Sequence, residues 1–365
     1  MTETYTHARF WRCALQVNPF SYSDKYRGKD HGLAEDAYNQ ALLEQCKANG
    51  IKVVGIANHG SVDSIDRLRE ALTPHGIVVF PGFEIASTEK VHMVCLFPES
   101  TTKDQLNRYL GTLGVTGVDA ETAPSTFGCQ DLAKKIHDLG GFWYAAHATG
   151  SNGLLRLNNK DGGGLTHVWR DACVRVAQIP GNTDNLPDNF RKIVENKDAA
   201  YLRLRPIVLI NAKDVAKPED LAEPAASCWV KMTTPTFEAF KVAFLDPESR
   251  IRLGLPGTLS HSAILSLKIQ GGYLDGVNVQ LSDHLNAIIG GRGTGKSTLV
   301  ECLRYVLDLQ PKGKQAQRLH PEIIKENLGK ASGSIEVRVR SGAQHGKIFT
   351  AVSYTHLTLP TSDLV

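Results

Sequence analysis

The chain has 365 residues, which is enough for two domains that each bury a core. Its formal net charge is only +3 with 22% charged residues, so the overall charge indicates neither nucleic acid nor a membrane as an obligatory partner. No apolar run approaches the length of a transmembrane helix, the N-terminus lacks a signal-peptide pattern, and the seven cysteines form no C-x-x-C motif. We therefore expect a cytoplasmic protein without a membrane partner, whose cysteines are reduced core thiols.

The first 250 residues alternate strand-like and helix-like segments. Apolar runs predict strands at residues 52–56, 77–80, 91–97, 142–146 and 207–210. Helical periodicity falls at residues 33–48, 64–72, 103–110 and 131–139. This alternation predicts an α/β domain with a largely parallel sheet or barrel. The cluster Gly254-Leu-Pro-Gly257 breaks the pattern, so we expect one domain over residues 1–255 and a second over residues 258–351.

Polar residues recur at the ends of the predicted strands in the first domain. His59, Glu84, His147 and Asp214 each follow a strand, and His92 begins the strand nearest to Glu84. In parallel α/β folds the carboxyl ends of the strands share one face, where binding and catalytic residues gather. A single histidine at a strand end is more often structural. The shared placement of all five residues predicts a site for Zn²⁺, Mn²⁺ or Fe²⁺.

The second domain carries a nucleotide-phosphate loop at residues 290–297, which fit the pattern G-x-x-x-x-G-K-[ST]. Strands are predicted at 264–270, 277–281 and 285–289 before it, and a helix at 297–307 after it, which favours a phosphate loop over an ordinary glycine-rich turn. The predicted nucleotide-binding residues are Gly290, Gly291, Arg292, Gly293, Thr294, Gly295, Lys296, Ser297 and Thr298. Lys296 would reach the β and γ phosphates of ATP, and Ser297 would bind Mg²⁺.

The last fourteen residues, 352–365, form a separate segment. Their beginning resembles the in-frame translation of a transposase-type sequencing-library adapter, and a natural edge strand is the alternative. We therefore exclude them from the predicted fold and expect the natural gene to continue beyond Ala351. No strand with an acidic end follows the phosphate loop in this sequence, so we expect these 365 residues not to turn over ATP.

The first domain resembles the PHP (polymerase and histidinol phosphatase) family. The resemblance lies in His59 after a strand, Pro81-Gly-Phe-Glu84-Ile, the run that begins Val91-His92-Met, and the run that ends Tyr-Ala-Ala-His147. Residues 210–221, which include Asp214, resemble the family's last ligand loop. The resemblance implies a distorted seven-stranded β/α barrel whose site holds up to three metals for phosphoester hydrolysis.

The chain as a whole resembles PHP–ATPase fusions of the TrlF type. Residues 228–231, 235–237 and 246–250, followed by the glycine loop, carry this resemblance, and residues 285–291 are similar to SMC/ABC-type ATPases. It implies a PHP-like barrel followed by the start of a P-loop NTPase domain, with ATP and Mg²⁺ as cofactors. Nucleic acid is the implied partner, and a homodimer is implied for the complete ATPase.

Four positions depart from the PHP pattern. Gln16 and Asn18 stand where the family has a His-x-His pair, Asn58 replaces an aspartate, and Ala216 replaces a histidine. Amides bind transition metals weakly. We therefore expect a degenerate site with at most one Zn²⁺ or Mn²⁺ and weak or lost phosphoesterase activity.

Two functions remain open from the sequence. In the first, the protein is an ATP-driven, nucleic-acid-associated ATPase whose PHP-like domain is a scaffold or regulator. In the second, the PHP-like domain is an active metal-dependent phosphoesterase or nuclease gated by ATP. The lost ligands favour the first. The basic residues Lys312, Lys314 and Arg318 follow the phosphate-loop helix and could contact nucleic acid or simply form a solvated loop.

Overall fold

The computed structural model describes residues 7–22, 31–115, 123–150, 153–156, 165–257, 261–329 and 333–354. It contains two compact units, which we call the barrel unit (Arg9–Pro256) and the C-terminal unit (Gly257 onward). Most of the segment that we excluded from the predicted fold, residues 355–365, lies outside the described residues.

In the part of the chain that the structure describes, the barrel unit contains nine strands and the helices between them. The strands are β1 (Arg9–Val17), β2 (Ile51–His59), β3 (Val78–Ala86), β4 (His92–Leu96), β5 (Phe142–Ala145), β6 (Val176–Gln178), β7 (Val208–Ile210), β8 (Cys228–Met232) and β9 (Ile251–Arg252). The α-helices are α1 (Glu35–Ala48), α2 (Ile65–Leu72), α3 (Lys103–Thr112), α4 (Cys129–Asp138), α5 (Thr166–Arg170), α6 (Asp188–Val194), α7 (Phe237–Ala243) and α8 (Pro247–Arg250). All five predicted strands and all four predicted helices of this domain are therefore confirmed, with ends that differ by a few residues.

The sheet of the barrel unit is nearly closed. Its strand order is β7-β6-β5-β4-β3-β2-β1-β8-β9. Val17, at the end of β1, forms a parallel bridge with Val215, which follows β7. The Val215 N–H donates to the Gln16 carbonyl at 3.0 Å, and the Asn18 N–H donates to the Val215 carbonyl at 3.1 Å. These bonds close strands β1–β7 into a distorted barrel, and β8 and β9 continue the sheet beyond β1.

The sheet is mixed rather than largely parallel, because β4 runs against both of its neighbours. Only five residues connect β3 to β4, and so short a connection permits only an antiparallel pair. The pairs β1–β2, β2–β3, β5–β6 and β6–β7 are parallel. Reversal of β4 places its first residue, His92, opposite Ala86 at the end of β3. His92 therefore lies at the same edge as the carboxyl ends of the parallel strands.

Helix α1 shows how the barrel is covered. Tyr38, Leu42 and Cys46 recur at a spacing of four residues, which places them on one face, and all three are buried in the main hydrophobic core. Strands β2 and β3 are buried along almost their whole length, as expected for strands covered on both faces. The described residues contain no helix that is long and apolar enough to cross a membrane.

The described residues of the C-terminal unit form a four-stranded antiparallel sheet packed against two α-helices. Its elements are β10 (Ala263–Gln270), β11 (Asn278–Gln280), α9 (Lys296–Val306), α10 (Lys314–Ile324), β12 (Ser334–Arg340) and β13 (Ile348–Tyr354). The strand order is β11-β10-β12-β13. Leu267, Cys302, Ile324 and Val337 form its core, drawn from β10, α9, α10 and β12. Two predicted strands and the predicted helix are confirmed here.

Two details differ from the sequence-based expectation. The strand predicted at residues 285–289 is wrong, since this segment is irregular and exposed, with Leu285 93% and Ile289 91% accessible. A strand requires a hydrogen-bonding neighbour, and this segment belongs to neither sheet of the described residues. Residues 352–354 belong to the edge strand β13, where Val352 lies opposite Glu336. The adapter origin of residues 352–365 stays a prediction.

Candidate functional sites

The end of the barrel brings together side chains from four neighbouring strands. His59 and Glu84 are register partners at the ends of β2 and β3. His92 begins β4, and His147 follows β5, so both reach the same edge. The imidazole rings of His92 and His147 meet edge to face with their centres 4.8 Å apart.

Glu84 is the centre of this cluster. Its side chain is only 2% exposed, and His92 Nδ1 lies 2.6 Å from Oε1. Gln16 Nε2 donates to Oε2 at 2.6 Å, and His59 Nε2 lies 3.7 Å from the same oxygen. Burial raises the pKa of Glu84. The His92 hydrogen bond and the charges of the neighbouring histidines lower it by more, so the pKa is about 2. The carboxyl group is therefore ionised at neutral pH.

Glu84, His92 and His147 form a group that could hold a metal ion. Each offers one ligand atom, and these atoms lie within 4.8 Å of one another. Burial lowers the pKa of His147, which favours the neutral imidazole that metal binding requires. Gln16 Oε1 is buried and has no hydrogen-bond partner among the described residues, so it offers a further oxygen. One carboxylate and two imidazoles are suitable ligands for one Zn²⁺ or Mn²⁺ ion.

The other two predicted ligands lie beside this group rather than in it. His59 stacks on Tyr22, with ring centres 4.7 Å apart, while its Nε2 faces Glu84. Asp214 accepts hydrogen bonds from Asn18 Nδ2 and from the Tyr22 hydroxyl, the latter at 3.3 Å. Within the described residues, the three-residue group therefore contains neither His59 nor Asp214.

The amides at the altered positions have a clear structural role. Gln16 donates to Glu84 and Asn18 donates to Asp214, so each amide N–H group gives a carboxylate a charge-assisted hydrogen bond. Asn58 accepts from the His59 backbone N–H at 2.8 Å and donates to the Ser21 hydroxyl at 3.1 Å. Asn58 therefore holds the end of β2 in place through both ends of its amide.

The sequence prediction missed two residues at this edge. Gln178, at the end of β6, accepts a hydrogen bond from the His147 backbone N–H through Oε1. This bond holds His147 at a φ of +32°, a backbone conformation that few non-glycine residues adopt. Tyr22 contacts both His59 and Asp214. Gln178 ends β6, a strand that the sequence analysis did not predict, and nothing in the sequence marks Tyr22.

The predicted phosphate loop in the C-terminal unit leads directly into α9, which begins at Lys296. Gly293 and Gly295 have φ values of +82° and +85°, which side-chain-bearing residues rarely adopt. Alternation of such conformations turns successive backbone N–H groups toward a common concavity, and a helix N-terminus adds a favourable dipole for an anion.

The side chains of the loop complete this arrangement. Lys296 Nζ donates to the carbonyl oxygens of Gly290 and Gly291 at 2.8 and 2.6 Å, which holds the ammonium group across the loop. The Thr294 hydroxyl also donates to the Gly291 carbonyl, at 2.9 Å. Arg292 and Ser297 are exposed to solvent. The loop therefore presents a cation, a hydroxyl group and a helix N-terminus within one short segment.

Comparison with known proteins supports an ATPase-like assignment for this unit. A family model described as AAA_23, an AAA domain, matches residues 265–357, which include the loop, α9 and the sheet. None of the curated proteins matches this chain in sequence. The nearly closed sheet and the AAA match confirm the predicted α/β fold class, a distorted barrel followed by an ATPase-like domain.

Several solved structures are similar to the chain at low identity. The lesion-specific endonuclease PfuEndoQ from Pyrococcus furiosus is 13% identical, with 87% of this chain and 83% of that chain covered and a TM-score of 0.45. Endonuclease Q in complex with a 27-mer duplex substrate with an abasic lesion is also 13% identical, with coverages of 87% and 84% and a TM-score of 0.46. A proposed metal-dependent phosphoesterase from Bifidobacterium adolescentis ATCC 15703 is 12% identical, with coverages of 56% and 88% and a TM-score of 0.36. Because these backbones overlap only in part, the function of this chain rests on its own residues.

Proposed function

We propose that the C-terminal unit binds ATP with Mg²⁺ and that the chain is a PHP–ATPase fusion of the TrlF type. One observation carries the nucleotide-binding part of this proposal: the loop 290–297 turns through Gly293 and Gly295, which both have positive φ, into α9, while the Lys296 ammonium group lies across it. Anions bind where backbone N–H groups, a helix N-terminus and a lysine converge. Bound Mg²⁺ would neutralise charge on the phosphates, and Ser297 is the residue to which the loop motif assigns Mg²⁺ binding.

Titration of the whole chain with ATP and Mg²⁺ tests this proposal. Replacement of Lys296 by alanine removes a charge-assisted contact, typically about 1.5–3 kcal/mol, and should weaken ATP binding at least tenfold. Lys314→Ala is the matched control, since Lys314 is an exposed lysine of the same unit outside the loop. Equal affinities of the wild-type chain and Lys296→Ala would refute the assignment.

The barrel unit supports a proposal of its own, that it holds at most one divalent metal and serves mainly as a scaffold or regulator. Gln16 and Asn18 are uncharged and donate hydrogen bonds to Glu84 and Asp214, and Glu84, His92 and His147 remain as a single group of candidate ligands. A metal held there would lower the pKa of a bound water. The same group is what favours the second candidate function, an active single-metal phosphoesterase gated by ATP.

Elemental analysis separates these two candidates when it is combined with a phosphodiesterase assay. The chain purified without chelator should carry no more than one equivalent of Zn²⁺ or Mn²⁺ and cleave bis-p-nitrophenyl phosphate poorly. Clear cleavage that is lost in Glu84→Ala but kept in Glu44→Ala, an exposed glutamate, would establish the phosphoesterase instead. Two or more equivalents of metal would contradict the degenerate site.

Nucleic acid is the partner that we propose for the ATPase-like unit, in keeping with the SMC/ABC-type resemblance and its implied homodimer. Lys312, Lys314 and Arg318 are exposed at the start of α10, and the last two lie one turn apart on one face. Three cations so placed suit contacts with backbone phosphates. Fluorescence anisotropy with duplex DNA should show weaker binding and a shallower salt dependence for Lys314→Ala and Arg318→Ala. Unchanged binding in both variants would refute this contact.

A further inference from the structure

A tyrosine outside the sequence motif contacts the phosphate loop. Tyr273 lies in the turn between β10 and β11, and its hydroxyl donates to the carbonyl oxygen of Gly293 at 2.6 Å. Its ring also lies against Gly295, where an added β-carbon would come within 3.0 Å of Tyr273 Cε1 and 2.8 Å of Leu274 Cδ2. Both loop glycines with positive φ are thus in contact with this one turn.

The turn itself is fixed by its surroundings. Gly272 lies so close to the backbone of Asn327 that a β-carbon would stand 1.5 Å from the Asn327 carbonyl oxygen. The Gly271 N–H donates to Asp275 Oδ1 at 2.7 Å, and the Gly276 N–H donates to the Ile269 carbonyl at 3.1 Å. The phenol of Tyr273 is 64% exposed, yet the backbone that carries it is held on both sides.

The hydrogen bond to Gly293 has a consequence for the next residue. The Gly293 carbonyl and the Thr294 N–H belong to one planar trans peptide unit, in which they point in opposite directions. Because the Tyr273 hydroxyl holds the carbonyl, the Thr294 N–H is directed away from Tyr273. Gly293 itself has the freedom to rotate this peptide, since glycine adopts positive and negative φ almost equally well.

We propose that Tyr273 is a positioning residue of the phosphate loop, which orients the Gly293–Thr294 peptide so that its N–H binds a phosphate oxygen. The proposal rests on the proposed nucleotide-binding function and adds to it a residue that lies outside the loop motif. In this proposal Tyr273 affects the binding of the ligand's phosphates and does not contact its nucleoside. The hydroxyl group carries the effect, whereas the ring supports Gly295.

Displacement of the fluorescent analogue mant-ATP from the whole chain tests the proposal, with unlabelled ATP and inorganic tripolyphosphate as competitors. Tyr273→Phe removes only the hydroxyl, so both competitors should bind about two- to tenfold more weakly, as expected for one hydrogen bond. The melting temperature should stay unchanged because the exposed phenol contributes little to the core. Tyr273→Ala, which also removes the ring from Gly295, should weaken both competitors further. Tyr305→Phe, in α9, is the matched control and should leave both affinities unchanged.

The outcomes distinguish this inference from the function on which it rests. A wild-type chain that binds neither mant-ATP nor tripolyphosphate would refute the proposed function and the inference together. A wild-type chain that binds both, with equal affinities in Tyr273→Phe, would refute the inference alone. A loss of ATP binding without a loss of tripolyphosphate binding would assign the phenol to the nucleoside and overturn the proposed role.

Discussion

Replacement of Glu84 by glutamine should change how the stability of the chain depends on pH. The pKa of Glu84 is about 2 in the folded barrel against an ordinary value of 4.5, which corresponds to about 3 kcal/mol. A carboxyl group with a lowered pKa stabilises the fold above its ordinary pKa, and this contribution is lost as the pH falls toward 2. About 2 kcal/mol of it should disappear between pH 5 and pH 3. Glutamine does not ionise, so Glu84→Gln should lack this part of the pH dependence.

Urea unfolding at a series of pH values from 7 to 3 measures this effect. Circular dichroism would follow the transition, with EDTA present so that metal binding does not contribute. The wild-type chain should exceed Glu84→Gln in free energy of unfolding at pH 5, and the difference should narrow by about 2 kcal/mol at pH 3. Glu44→Gln, an exposed glutamate on α1, is the control and should follow the wild-type curve. A constant difference between wild type and Glu84→Gln over this range would refute the reasoning.

Three further outcomes are expected. His147→Ala should remove any metal that copurifies with the wild-type chain, as measured by elemental analysis, and full retention would exclude His147 as a ligand. Gly295→Ala should weaken ATP binding in a titration, because the φ of +85° at Gly295 disfavours a side chain and a β-carbon there would contact Leu274. Gly111→Ala, at a position where a β-carbon would meet no atom within 4 Å, is the control and should leave ATP binding unchanged. Limited proteolysis should leave a resistant fragment that ends near residue 255, and cleavage mainly within it would contradict the proposed domain boundary.

The strand-end rule predicted much of the barrel site from the sequence. It identified His59, Glu84 and His147 because parallel strands present their carboxyl ends at one edge, and the structure brings these residues together there. It could not predict that Asn18 pairs with Asp214, since these residues are 196 positions apart and meet only through the closure of the sheet. Pairing between distant residues depends on the whole topology.

The phosphate loop shows which features a short stretch of sequence predicts and which it does not. The glycines and Lys296 are informative because their conformations and charge are local properties, and the helix after them is confirmed. The apolar run 285–289 has the composition of a strand, but a strand also needs a neighbour, and composition does not supply one. Tyr273 was not predicted, because an aromatic residue in a glycine-rich turn belongs to no known motif. Only its hydrogen bond to Gly293 identifies it.

The bridge between Val17 and Val215 also bears on how the protein is made. Strand β1 leaves the ribosome before β8 and Val215, which pair with it and are synthesised about 200 residues later. At a synthesis rate of about 5–20 residues per second, one edge of β1 remains unpaired for roughly 10 to 40 s. An unpaired edge of this kind is a template for pairing with other chains. Misassembly during synthesis should therefore be most sensitive to changes in β1, and the sheet that carries Glu84, His92 and His147 closes only after the chain has passed residue 215.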